Sequence, residues 1–291
     1  METEKPRGIA ALFGGSPQQV LCAFDIAWPA VMESVFVALA GLIDSLMVST
    51  LGAAAVASVG LTTQPKFIAL SLFIALNVSV SALVARRKGQ KDRDGANQVL
   101  MMALGFTLVM GLVLGAVCIA FAPTFMDLAG SNAETHDNAV LYFRIYALGM
   151  PALGIFNFGN AVLSASGDTK RPLVYLTAAG ILNVILNLFF VIVCKMAADG
   201  VALATIISQY TSAALVLRVL LRAQESYRLE LKNFVFSVEK AQRILALGVA
   251  SGMQHAIFAI ANLFIQSAVN SFSAAVVEGN SAAANADSLV Y

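Results

Sequence analysis

Seven long apolar runs constrain this chain more than any motif does. They lie near 28–50, 57–84, 98–122, 139–165, 172–194, 201–221 and 244–271. Each meets or exceeds the roughly 20 residues that a helix needs to cross about 30 Å of hydrocarbon. Short polar loops separate them, and no segment alternates apolar and polar residues as a membrane β-strand does, so a β-barrel is not expected. Composition agrees: 59% of the 291 residues are hydrophobic and 12% are charged, where a soluble domain carries about a quarter of its residues as charges. The expected class is therefore an all-α integral membrane protein with the lipid bilayer as its solvent. A formal net charge of +1 gives no reason to expect a nucleic acid partner.

The basic residues set the expected orientation. Lys5 and Arg7 precede the first run. Arg86, Arg87, Lys88, Lys91 and Arg93 follow the second, and Lys170 and Arg171 follow the fourth. Arg218, Arg222, Arg228, Lys232, Lys240 and Arg243 surround the connection from the sixth to the seventh. Outside the runs, the alternate loops hold only Lys195, and the loop over 123–138 carries Asp127, Glu134 and Asp137 without a basic residue. Because cytoplasmic loops are enriched in Lys and Arg, the N-terminus is expected in the cytoplasm of a multi-pass cell-membrane protein. The first twenty residues are polar and contain Gly and Pro, so no cleavable signal is expected. The scattered Cys22, Cys118 and Cys194 suggest buried small hydrophobes rather than a metal cluster or a disulfide framework.

The longest polar connection covers 223–243 and divides the chain into a first lobe of six helices over 1–222 and a further segment over 244–291. Its alternating charges suit a helix on the membrane surface. Beyond the seventh run, a turn at Glu278, Gly279 and Asn280 opens another apolar segment that stops at Tyr291. A helix cannot end in mid-bilayer with unsatisfied carbonyls, so the expectation is one half of a larger protein plus the start of a second half.

Charged side chains in hydrocarbon cost about 2.5–3.5 kcal/mol on insertion scales, and those present invite a functional reading. The first run holds Glu33 and Asp44, eleven residues and so about three turns apart, on one face and about 16 Å apart along the axis. Asp44 is expected in the outer half of the membrane and Glu33 near the inner edge. A carboxylate at Asp44's depth has to take up a proton, hold Na⁺ or find donors. Asn183 and Asn187, at i and i+4 of the fifth run, share that depth, as does Thr205 in the sixth. These oxygens suit a hard cation, and equally suit interhelical hydrogen bonding. Pro151, two residues after Gly149, predicts a kink in the fourth run. Arg144 lies in that run near the expected interior. No Ser-His, paired-Asp or His-rich constellation falls within the runs, so an enzyme is not expected.

Six segments in order resemble the multidrug and toxic compound extrusion (MATE) antiporters: GLIDSLMVSTLGAAAVASVGL (41–61), ARRKGQKD (85–92), SASGDTKRPL (164–173), NVILN (183–187), GVALATIISQ (200–209) and GMQHAIFAIANLFIQSAVNSF (252–272). The resemblance implies two six-helix lobes around a central cavity, with alternating access coupled to H⁺ or Na⁺ and no other cofactor. It implies that Asp44 is the coupling carboxylate. Asn183, Asn187 and Thr205 fall on positions that bind Na⁺ or share the proton network, and Tyr142 and Asn160 on further members of it. A straight helix would separate those last two by about 27 Å. Some relatives carry a second acid where this chain has Asn187. The substrates implied are small organic cations, drugs or metabolites, and the missing partner is a second lobe of the same polypeptide. His255 in the seventh run reads as a packed histidine. SGDTKR reads as a turn at Gly167 with Asp168 and Thr169 capping the next helix. Two alternatives stand beside the exporter: a lipid-linked oligosaccharide flippase, which calls for a cavity rich in Arg and Lys, and a non-transporting membrane fragment that needs its other half.

Overall fold

The computed structural model describes residues 17–90, 92–129, 131, 135–222 and, beyond them, 229, 242, 244, 246–249, 251–253 and 257. Among the described residues the chain is helical and contains no strand. The first helix, α1 (Pro17–Ser49), turns at Gly52, whose φ of 100° suits a residue without Cβ. Then α2 (Ala53–Leu61) and α3 (Thr63–Gly89) follow one another across Thr62. The next helix, α4 (Arg93–Ala120), starts at Asp92. That carboxylate accepts from the Gly95 amide at 2.9 Å, which satisfies one of the donors orphaned at a helix start, and it pairs with Arg87 at 2.7 Å. After the short α5 (Ala122–Leu128) come α6 (His136–Leu148) and α7 (Met150–Ala165), then α8 (Lys170–Leu188) and α9 (Ala198–Arg222).

The kink expected at Pro151 is present as a 47° bend between α6 and α7, with Gly149 at the break. Proline lacks the amide that would bond back across the break. Gly149 has a further reason to be small: a Cβ there would lie 2.5 Å from Gln209 Oε1 on α9. Between α7 and α8, the Asp168 amide donates to Leu163 O and the Gly167 amide to Ser164 O, both at 2.9 Å, with Gly167 at φ 86°. This pairing closes a helix end through a left-handed residue. Asp168 Oδ1 then accepts from the Arg171 amide at 3.2 Å, as expected of a cap, whereas Thr169, also expected to cap, makes no side-chain capping hydrogen bond.

Four stretches, Ala55–Gly89, Gly95–Ala120, Lys170–Val193 and Ala198–Arg222, are long and apolar enough to cross a membrane, and the bent pair supplies a fifth. The first run lies within the 33 residues of α1, whose described apolar stretch is Ala27–Val37. Most of the seventh run, with His255, and most of the 223–243 connection lie outside the described residues.

The interior is built around α7, which packs against α4, α3 and α9. Phe73, Leu100, Phe158, Leu163, Val216 and Leu220 are closed off from solvent there. Small residues allow the approach: a Cβ on Gly159 would stand 1.8 Å from Val216 Cγ1. The periphery is apolar as well, with Phe67, Ile68, Leu112, Val113, Ile181 and Ile192 exposed. In water such a surface would aggregate, whereas lipid leaves it no worse off than the core. Cys118 is buried in a cluster with Phe73, Ala122 and Met126, whereas Cys194, just past the turn of π-helix Phe189–Val193 that ends α8, is exposed. The side chain of Cys22 lies outside the described ones.

Candidate functional site

Hydrogen bonds and ring contacts bring the end of α1 together with the end of α8 and the start of α9, and the start of α3 together with the start of α6. Each contributes a polar side chain from within a span. Asn187, fully buried, donates Nδ2 to Asp44 Oδ1 at 2.7 Å and to Asn183 Oδ1 at 3.1 Å. Asn183 Nδ2 reaches Thr205 Oγ1 at 3.4 Å, and that hydroxyl donates to Val201 O at 2.9 Å. The four residues singled out at equal depth are thus one connected network between α1, α8 and α9.

The donor count decides what the network has left to offer. Both hydrogens of the Asn187 amide are spent, one on Asp44 and one on Asn183. The Thr205 hydroxyl hydrogen is spent on the backbone, a common arrangement for Thr inside a membrane helix. Asn187 Oδ1 is buried without a hydrogen-bond partner among the described residues. A buried oxygen with no donor is costly unless a water, proton donor or cation meets it. Together with the half-buried Asp44 carboxylate, it supplies acceptor oxygens, which is the chemistry of a site for a proton or a hard cation. Among the described residues no group of three or more His, Cys, Asp or Glu is placed to hold a metal.

Tyr142 belongs to the same end. It is buried on α6 and stacks on Tyr146 with ring centroids 6.5 Å apart and planes 11° apart. Electrostatic interaction with Asp44 reaches both rings. Asn160 does not join this group. The bend places it far along α7, where Nδ2 donates to Glu33 Oε1 at 2.6 Å and Oδ1 accepts from Ser164 Oγ at 3.1 Å. Glu33, read from the sequence as close to the inner edge, therefore has a dedicated polar partner on another helix, a second polar contact separate from the Asp44 network.

Two basic residues differ from the sequence reading. Arg144 is exposed and its Nε donates to Ile119 O at 3.3 Å, so it faces away from the network. Lys66, which the sequence reading passed over, lies one turn into α3 with its Nζ 5.0 Å from the ring centroids of both Tyr142 and Tyr146. Asp44 and Lys66 interact electrostatically. The signal was available: a single lysine inside an apolar span is as anomalous as a single aspartate.

At the opposite end of the bundle, Lys88 donates to the Ser166 carbonyl, Arg87 pairs with Asp92, and Arg171 Nε lies 3.2 Å from Asp168.

Comparison with known proteins gives a consistent result. The sequence profile of the MatE family matches residues 29–189. The probable multidrug resistance protein YpnP of Bacillus subtilis is 28% identical over 85% of this chain and 56% of its own length. The FAD transporter of Shewanella oneidensis is 28% identical over 57% of this chain and 38% of its own. A solved MOP superfamily transporter from Pyrococcus furiosus superimposes with a TM-score of 0.85 at 25% identity, covering 99% of this chain and 63% of that one. The chain spans a little over half the length of its multidrug-resistance relative.

Proposed function

The chain belongs to the MatE family, and on that premise we infer that it forms the first lobe of an antiporter that exports small organic cations across the cell membrane in exchange for H⁺ or Na⁺. The observation that carries this reading is the Asp44 carboxylate, held inside the bundle by Asn187 with an unpartnered Asn187 oxygen beside it. A carboxylate in a low-dielectric interior is stable when protonated or when paired with a cation, and expensive when bare. Exchange follows from that instability. An arriving organic cation neutralises Asp44 from one side of the membrane, and its departure requires H⁺ or Na⁺ to take its place from the other. The Asn187, Asn183 and Thr205 chain fixes the rotamer of the carboxylate, so that the two ligands compete for one position.

The lopsided distribution of Lys and Arg supports a cytoplasmic N-terminus, with the Lys88 end inside and the Asp44 end toward the outer face. Family relatives carry names that differ in substrate, multidrug resistance in one and FAD in another, so the fold does not set the cargo. The organic cation is argued from the acids that face helices across the bundle, Asp44 and Glu33, and from the tyrosine rings beside Asp44. A flippase would call for several basic groups facing inward. Among the described spans Lys66 faces the network, and Arg144 faces away from it.

The test is efflux driven by an imposed H⁺ or Na⁺ gradient in vesicles holding the protein expressed from its complete gene, with ethidium as cargo. Asp44→Asn keeps shape and removes the charge. Gradient-driven efflux is expected to fall to the level of empty vesicles at normal membrane yield. Undiminished efflux at normal yield would leave Asp44 as a structural hydrogen-bonding group.

A further inference from the structure

An ammonium group inside an apolar span needs a reason to be there. Lys66 lies in the Ala55–Gly89 span and is half-buried. Its Nζ rests against two aromatic faces at once, 5.0 Å from each centroid, and the two rings are held nearly parallel by their spacing on α6. One turn of helix separates Tyr142 from Tyr146, so they present adjacent faces to one partner. A pair of tyrosine rings beside a carboxylate is the arrangement that recognises organic ammonium ions, since the ring quadrupole attracts a cation and asks for no hydrogen bond. Here the cation in that position is part of the chain.

Lys66 does not form a close ion pair with Asp44. Among the described residues the ion pairs made by Lys or Arg are Arg87 with Asp92 and Arg171 with Asp168. Asp44 instead gives Oδ1 to Asn187, and Lys66 stays on the tyrosines within its field. The lysine is thus poised next to the carboxylate without consuming it. It is also a poor receptor for an anion, because its charge is already met by two ring faces, and an anion binding there would lie in the field of Asp44.

We propose that Lys66 is a tethered cation that occupies the Tyr142 and Tyr146 faces beside Asp44 and that a transported organic ammonium ion must displace it to bind. The proposal rests on the reading of Asp44 as the cation-binding carboxylate. It adds a ligand class, ammonium ions that use aromatic faces, and a residue that sets affinity without belonging to the network. A tethered occupant weakens every incoming cation by the fraction of time that it holds the site.

The experiment is equilibrium binding of ethidium, followed by fluorescence anisotropy, to the detergent-purified protein expressed from its complete gene. The variants are Lys66→Met, Lys66→Gln, Lys66→Arg and Asp44→Asn, each required to elute as a single species. If Lys66 holds the site nine-tenths of the time, its removal tightens binding about tenfold. Lys66→Met and Lys66→Gln are therefore expected to bind ethidium about tenfold more tightly, and Lys66→Arg to stay within about twofold of the native protein, because Arg keeps both the charge and the affinity for rings. If one neutral variant is not monodisperse, the other decides. Unchanged affinity in the neutral variants, with Asp44→Asn weakened, overturns the tethered cation and leaves the Asp44 reading intact. Weaker ethidium binding in the neutral variants, with loss of binding of the anionic dye fluorescein, overturns it in favour of an anion receptor. Binding and efflux unaffected by Asp44→Asn remove the carboxylate reading itself, and the proposal with it.

Discussion

The hydrogen bond from Asn187 to Asp44 is the contact on which the candidate site turns, and its energy is open to direct measurement. Asn187→Ala removes one amide whose two hydrogens are committed at 2.7 Å to Asp44 and at 3.1 Å to Asn183. The shorter bond has an ionisable acceptor, and such bonds contribute about 1.5–3 kcal/mol in water-soluble proteins. In membrane bundles the measured couplings average about 0.6 and reach about 1.7 kcal/mol, because polar groups also find partners in the unfolded, inserted state. The fully buried position of Asn187 and the short distance favour the upper part of the membrane range. The pair is therefore expected to couple by about 1–1.7 kcal/mol, and Asn187→Ala alone to cost about 2 kcal/mol once the weaker bond to Asn183 is added. The assay is a double-mutant cycle with Asp44→Ala, read by reversible SDS titration of the purified protein. A coupling below about 0.5 kcal/mol is within the additivity expected of independent sites. That result would refute the view that Asn187 fixes the carboxylate.

Two further outcomes follow from packing and charge. Gly159→Ala puts a Cβ 1.8 Å from Val216 Cγ1, both inside the α7 and α9 contact, and is expected to destabilise by about 1–3 kcal/mol in the same SDS titration; native stability would mean that the two helices stand further apart than described. In a background with Cys22, Cys118 and Cys194 each changed to Ser, the last because it is exposed, a cysteine replacing Lys88, whose ammonium holds the Ser166 carbonyl, is expected to react with a membrane-impermeant maleimide in inverted vesicles alone, and labelling in intact cells would reverse the orientation.

How much of this was legible beforehand depends on the kind of signal each feature leaves in the chain. Six of the apolar runs became helices because lipid as solvent leaves a backbone no other way to satisfy its amides, and the bend at Pro151 follows from a missing N–H that no tertiary context restores. The Asp44, Asn183, Asn187 and Thr205 group was readable because each residue is polar inside an apolar run and the helix rise gives its depth. Lys66 obeys the same rule and was missed for a definite reason: basic residues were tallied by loop, to orient the chain, and a lysine inside a span contributes nothing to that tally. The Tyr142 and Tyr146 faces were not legible, because stacked aromatics on one helix are ordinarily packing, and their meaning depends on which residue of α3 the bundle sets against them. Asn160 was readable in type but not in company. The residue pattern shows that it is polar within a span, whereas the bend between α6 and α7 and the position of Glu33 on α1 decide that it serves the Glu33 contact. Depth and polarity are written along each helix, but the pairing of faces is fixed only when the helices pack. The charge balance of the site, Asp44 with a lysine beside it rather than Asp44 alone, is for that reason a property of the assembled lobe.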